Sequence, residues 1–307
     1  MDRVRGAGGA AVRSRADMRL ESTDFYVLGK LFRTAGIKNE WTEDIENPEA
    51  IIGELKHRRI RADLFTFWQR YPNSEPRFPY HREWDNWAVL TVTSYEDWFN
   101  HQIHRKARTA IRKAAKAGVE VRVVPLDDDY IAGVTRIFNE TPIRQGKKCS
   151  HYGKSFEQVR EELGKDADRT DFIGAYYRGE MIGFTQQIYA GECAHPFGDL
   201  TLLAHRDKSP NSALLAKAVE ICANKGVKYV VYGFFDYGTG GGGLTEFKVR
   251  TGFKQALVPR YFVPLTFRGK LGLALRLHRG VRRLIPRRIL KPMVEIRRAW
   301  RTKRGRA

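Results

Sequence analysis

The chain has 307 residues, 42% hydrophobic and 12% aromatic, which excludes both a minimal peptide-binding module and a mostly disordered polymer and leaves room for two modest domains or one large one. Cys149, Cys193 and Cys222 lie far apart, are odd in number and lack C-x-x-C spacing, so neither a disulfide framework nor a cysteine zinc site is written here, and a reducing cytoplasm fits best. The net charge of +20 is concentrated at one end: residues 267–307 carry fifteen Lys and Arg against Glu295 alone, a net +14 that leaves +6 for residues 1–266.

Residues 1–20, rich in Gly and Arg, predict a disordered basic start whose apolar stretch, Gly6 to Val12, is too short for a signal-peptide core. No run approaches the roughly 18 apolar residues of a membrane span. Phe25 to Gly36 predicts the start of a helix or strand, and Asn47 to His57 a helix capped by Asn47 with Pro48 in its first position. Ala62 to Trp68 is a short aromatic run, Tyr71 to Tyr80 with its three prolines a loop, and Trp87 to Thr93 an alternating strand. Ser94 and Asp97 form a capping-box-like start, and Tyr95, Trp98, Phe99 and Ile103 recur at helical spacing, predicting one helix that runs on to Gly118. A strand from Val119 to Val124 follows, then helices from Asp127 to Gln145 and Ser155 to Leu163.

Phe172 to Tyr177 and Met181 to Tyr189 predict a hairpin, and a further strand ends near Leu203. Asn211 to Asn224 is a periodic helix closed by Gly226, and Lys228 to Phe235 a strand buried on both faces. A glycine run (residues 238–243), a short helix from Leu244 to Thr251 and a strand near Leu257 to Pro264 complete the ordered part. The glycine run reads either as a phosphate cradle or as a plain strand-to-helix connection, since it matches neither common phosphate-loop spacing. His101 and His104 lack a carboxylate or cysteine at ligand spacing, so no metal is expected. In the tail, Leu273, Leu277, Val281, Leu284 and Ile285, and beyond Pro286 Ile289, Met293, Ile296 and Trp300, fall at helical intervals among arginines. Such a stretch suits an anionic membrane surface, RNA phosphate, or packing on the protein's own core.

The order from Val119 onward is strand, two helices, hairpin, strand, helix, strand, helix, strand. With RKARTAIRKAAKAGVEV (105–121), NSALLAKAVE (211–220), YGFFDYG (232–238) and GLTEFKVRTGF (243–253), it resembles the GCN5-related acyltransferase (GNAT) superfamily, most closely its FemAB-like branch of peptidoglycan-bridge aminoacyltransferases and their acetyltransferase relatives. The resemblance covers residues 101–266, with Ala62 to Trp98 more loosely similar to a degenerate first half. It implies an α/β (α+β) fold: a GNAT-like mixed central sheet with splayed strands (101–266), preceded by a smaller degenerate GNAT-like lobe (21–100) and followed by a basic amphipathic tail (267–307).

The resemblance further implies an enzyme moving an acyl or aminoacyl group from acyl-CoA (acetyl-CoA) or aminoacyl-tRNA to an amine acceptor such as a cell-envelope precursor, in the cytoplasm at the inner face of the membrane. A catalytically silent fold of this kind, tethered to membrane or RNA by residues 267–307, is the alternative. Donor groups are expected at Leu203, Arg206, Lys208, Ser209, Asn211 and Ser212, although the preceding loop lacks the glycines of acetyl-CoA-using relatives and Pro210 removes an N–H. Lys248 occupies the position where many GNAT enzymes carry a tyrosine acid and FemAB-like proteins a lysine, and is expected as an ammonium at the cleft mouth or as an ordinary helix lysine. Asp236, Tyr237 and Glu246 are candidate catalytic groups; Arg250, Tyr232 and Phe247 are candidate substrate contacts. The basic residues Arg105, Lys106, Arg108, Arg112, Lys113 and Lys116 read as a solvated face or a phosphate-facing stripe. The sequence assigns no oligomeric state.

Overall fold

The computed structural model describes residues 18–20, 23–57, 59–144, 146–237 and 242–279. Along the chain it forms β1 (Met18–Leu20), β2 (Thr23–Leu28), β3 (Thr34–Ile37), α1 (Pro48–His57), β4 (Leu64–Trp68) and β5 (His81–Thr91). There follow α2 (Tyr95–Asp97) with a π turn (Trp98–Gln102), α3 (Arg105–Lys116), β6 (Val119–Val124), α4 (Asp128–Phe138), a hairpin of β7 (Ile143–Arg144) and β8 (Lys147–Lys148), and α5 (Phe156–Gly164). The last part comprises β9 (Thr170–Tyr177), β10 (Glu180–Ala190), β11 (Cys193–Thr201), a 3-10 segment (Leu203–Lys208), α6 (Pro210–Asn224), β12 (Tyr229–Phe234), α7 (Gly243–Arg250), β13 (Lys254–Pro264), α8 (Phe267–Ala274) and a 3-10 turn (Leu277–Arg279).

Eleven strands make one mixed sheet in the order β1-β2-β3-β4-β13-β5-β12-β11-β10-β9-β6. The mixed α/β architecture with parting central strands is the one the sequence implies. β13, late in the chain, lies antiparallel between β4 and β5, so the sheet runs unbroken across residue 100. On one half α4, α5 and α6 bury Ile131, Val134, Val159, Leu214 and Ala218 against Phe172, Ile173 and Phe184 of β9 and β10. On the other, α1 covers Phe25, Phe65, Phe67 and Tyr261. Each buried Val, Leu, Ile or Phe side chain among these stabilises by about 1.5–3 kcal/mol through the apolar surface it removes from water.

Local signals set several boundaries. Asn47 accepts from Ala50 N–H at 3.1 Å, Ser155 and Gln158 form a reciprocal capping box on α5, and Gly118 takes φ +80° after α3. Two predicted helices are shorter than expected. The helix from Ser94 breaks at Ile103 and His104, both extended, because Trp98 is buried with its Nε1 donating to Thr251 O at 3.0 Å and His104 N–H donates to Arg250 O at 2.9 Å. That break ties the start of α3 to the end of α7. The helix predicted to Gln145 stops at Phe138, where Asn139 turns its amide to Thr135 O and Lys154 O, both at 2.9 Å, and the hairpin β7–β8 follows.

Phe25 to Gly36 holds two antiparallel strands, and the strand predicted at Trp87 begins at His81. In the tail, a continuous helix through Leu273 and Leu277 is not formed: α8 ends at Ala274, Arg276 takes φ +56°, and a 3-10 turn follows. The apolar positions from Val281 to Trp300, like Gly238 to Gly241, lie outside the described residues.

Candidate active site

β11 and β12 run parallel but pair only at Cys193–Tyr229 and Ala194–Val230. Beyond that point each is distorted on its other flank. The register of β11 against β10 shifts opposite Phe184 to Gln186, where Gly198 has φ +72°; that of β12 against β5 shifts between Val231 and Phe234, where Gly233 has φ +61°. Bulges of this kind bend and twist a strand, and here two of them turn neighbouring strands apart. The opening holds a cavity of about 570 Å³ lined by Thr185 of β10, Pro196 and Asp199 of β11, Tyr232 of β12, Arg206, the α6 residues Asn211, Leu214, Leu215 and Ala218, and Gly243, Leu244 and Phe247 of α7.

Asp199 is the carboxyl that the gap exposes to this cavity. Burial pushes it above the usual carboxylate range, against the opposing pull of hydrogen bonds from Thr185 and Tyr232. The Tyr232 hydroxyl is correspondingly held well above its ordinary value, by burial first and then by the Asp199 charge. Sequence reading missed Asp199, although its signal is present: an acid directly after an isolated glycine inside a strand marks a bulge that re-aims a side chain. Asn86 of β5 was missed as well. Its side-chain oxygen accepts from Asp236 N–H at 2.7 Å and its backbone oxygen from Phe235 N–H at 2.9 Å, fixing the chain as it leaves β12.

Lys248 is placed differently from expectation. It is fully buried on the inner face of α7 rather than at the cleft mouth. Its ammonium donates to Phe234 O and faces the rings of Tyr237 at 4.9 Å and Tyr232 at 5.3 Å. Burial brings its pKa down to about 8, with the Asp236 charge acting the other way. Tyr232 therefore stands between the ammonium and the cavity, its ring toward Lys248 and its hydroxyl on Asp199. Asp236 is half-buried beside this group; Tyr237, 38% exposed, leans edge-on against Phe234, and burial raises its hydroxyl. Glu246 and Arg250 are not brought to the cavity: they pair with one another one turn apart on α7. Phe247 lines it.

At the donor end, α6 begins with Ser209 at φ +57° and no side-chain cap. Asn211 and Arg206 line the cavity there. Ser212 N–H is bonded to Ser209 O at 3.1 Å, and Lys208 is turned to Asp207 and to the Tyr177 ring at 4.8 Å. The strand expected to end near Leu203 ends at Thr201, and Leu203 N–H is already occupied by Glu140 Oε1 at 2.6 Å. On α3, Arg108 reaches back to the carbonyls of Phe99, Asn100 and Ile103, closing the π turn, and Arg112 covers Phe99. Arg105, Lys106, Lys113 and Lys116 are exposed. His81, Glu83 and His278 come together from distant parts of the chain with ligand atoms within 4.8 Å of one another, but Arg279 Nε donates to the same Glu83 oxygen as His278 does, at 2.7 Å against 2.6 Å. The cluster is a clamp on the end of α8. Among the described residues no helix is long and apolar enough to cross a membrane.

No family model matches the chain, and no curated protein does. Solved structures do. One, provisionally described as the C-terminal domain (DUF2156) of a lysylphosphatidylglycerol synthetase from Agrobacterium fabrum, is 14% identical with a TM-score of 0.55, covering 86% of this chain and 89% of that one. L-PGS from Bacillus licheniformis is 12% identical with a TM-score of 0.53, covering 86% and 87%. FemX is 11% identical with a TM-score of 0.53, covering 77% and 83%. The chain shares the fold of these proteins, in agreement with the GNAT, FemAB-like resemblance.

Proposed function

We propose that the chain is an aminoacyl transferase that carries the acyl group of an aminoacyl-tRNA to an amine acceptor, with the ester carbonyl bound in the gap between β11 and β12. The observation that carries this reading is the joined set of Asp199, Tyr232 and Lys248, which puts a carboxyl with a raised pKa on the cavity wall and an ammonium one layer behind it. A carboxylate so placed accepts a proton from the attacking amine, and a fixed cation near the cleft lowers the energy of negative charge developing on the carbonyl oxygen. The amine nitrogen bonds to the carbonyl carbon and its proton passes to Asp199; the carbon–oxygen ester bond then breaks, and Asp199 gives that proton to the leaving ribose oxygen, which restores the carboxylate.

A tRNA donor is preferred to acyl-CoA on four observations. The loop from His205 to Asn211 has no glycine, Pro210 removes one N–H, and Lys208 is engaged elsewhere, so a wrapped pyrophosphate finds few donors. Of the exposed cations of α3, Lys113 acts on Asp207 of this loop at long range. A cationic helix packed on α6 suits a polynucleotide backbone. Cell-envelope precursors are the acceptor class that the FemAB-like resemblance implies, and on that reading the protein works at the inner face of the membrane. Mass spectrometry of amine acceptors incubated with the protein and either charged tRNA or acetyl-CoA tests the assignment. Transfer from charged tRNA is expected; transfer from acetyl-CoA alone would move the donor to the thioester class, and no transfer from either would leave the silent binding fold.

A further inference from the structure

We propose that a second surface, away from the cavity and independent of its chemistry, docks the protein on an anionic lipid bilayer. It is built by α8 together with the β2–β3 turn and the segment between α1 and β4. α8 packs with its small residues inward: Gly269 and Gly272 are buried, and a Cβ would stand 1.9 Å from Asp63 O at the first and 2.2 Å from the Phe32 ring at the second. Its large apolar residues are thereby turned outward. Phe267 is 82% exposed, Leu271 52% and Leu275 53%, one stripe at i, i+4 and i+8, and Leu31, 84% exposed, is tied alongside by Arg268 donating to its carbonyl. A helix that buries glycine and displays Phe and Leu reverses the usual arrangement and marks a face that meets something apolar.

The chemistry of the surroundings selects the partner. Next to the stripe opens a cavity of about 600 Å³ whose charged lining is Lys30, Arg33, Lys56, Arg59, Arg61 and Arg268 against Asp63 alone. Both Asp63 oxygens are taken, Oδ2 by Arg33 N–H at 2.9 Å and Oδ1 by the Thr266 hydroxyl at 3.0 Å. The cations therefore face the opening without a free carboxylate. Residues 280–307 hold eleven more Lys and Arg against Glu295, so the sequence beyond α8 adds positive charge and supplies one carboxylate to balance it. RNA satisfies the cations but not Phe267, Leu271, Leu275 and Leu31. An anionic bilayer satisfies both at once, with headgroup phosphates at the cavity and the four side chains in the acyl boundary.

Co-sedimentation of the full chain with phosphatidylcholine vesicles containing or lacking phosphatidylglycerol tests this. The protein is expected to pellet with the anionic vesicles and to weaken by about tenfold in Phe267→Ser/Leu271→Ser and, separately, in Arg59→Glu/Arg61→Glu. Melting temperature and turnover on a soluble acceptor should stay at wild-type values in both. Leu31→Ser, a change at a fully displayed side chain, provides the same readout should a double variant fail to fold. Equal pelleting with uncharged vesicles, or wild-type pelleting by both double variants, overturns the proposal. So does loss confined to the charge variant with competition by tRNA, which would make the face a polyanion surface. A protein without transferase activity would leave the vesicle result intact.

Discussion

Asp199 and Tyr232 join by a side-chain hydrogen bond two strands whose backbones have stopped pairing five residues earlier, at Ala194. The bond crosses the cavity wall and leaves the carboxyl facing the open space. Asp199→Asn keeps the shape and removes the proton acceptor, so steady-state turnover should fall roughly 100-fold or more with the fold intact by circular dichroism. Tyr232→Phe should lower turnover less, because it frees the carboxylate without removing it.

Lys248 offers a test with a sign. Its pKa of about 8 means that it carries its charge at neutral pH and loses it as the medium becomes moderately alkaline. If the ammonium stabilises negative charge, turnover falls as pH rises through 8; if the neutral amine were a base, turnover would rise over the same range. The stability effect runs the other way. The folded form gives up this proton at lower pH than the unfolded chain, whose lysine titrates near 10.4, so stability should increase with pH between about 8 and 10.4. Lys248→Met should cost turnover about 100-fold or more without loss of stability, since it removes a desolvated charge.

Gly198 sits at φ +72° in the bulge of β11, and a Cβ there would stand 2.9 Å from the Phe184 ring. Gly198→Ala should lower stability by about 1–2 kcal/mol from backbone strain alone, with more from the displaced ring, and should disturb Asp199 next to it. Denaturant unfolding measures the first effect and turnover the second.

These residues show where the sequence was legible. Elements set by local chemistry are legible in the sequence: the helix that starts at Ser155, Pro48 behind Asn47, the Phe172–Tyr189 hairpin and the apolar face of α6. The interruptions were not, because their causes are distant. Trp98 leaves helical spacing to reach Thr251, and β13 finds its place between β4 and β5 through pairings nearly two hundred residues apart. The site divides similarly. Lys248, Tyr232 and Phe247 came from the resemblance and lie at or just behind the cavity, whereas Glu246 and Arg250 share their helix but pair with each other. For Asp199 the sequence carries only the hint of Gly198 before it; the direction in which the side chain turns is set by the bulge.

The clamp at the end of α8 gives an acid-linked prediction. Burial opposes ionisation of Glu83, but hydrogen bonds and charge from His278 and Arg279 outweigh it and hold the carboxyl at about 2. Because the folded value lies below the unfolded one of about 4.3, the clamp's contribution is complete above that pH and declines as pH falls toward 2. Glu83→Gln should therefore cost about 1–3 kcal/mol in denaturant unfolding at pH 7, with the difference from wild type shrinking at pH values well below 4.

The central claim is that the gap between β11 and β12 receives the activated carbonyl, and a crystal structure with a non-hydrolysable aminoacyl-RNA analogue tests it most directly. The account predicts the analogue's carbonyl between the two strands, within reach of Asp199, with its phosphates toward Arg206 and the cations of α3. An analogue bound on another face, with the cavity filled only by solvent, would contradict it.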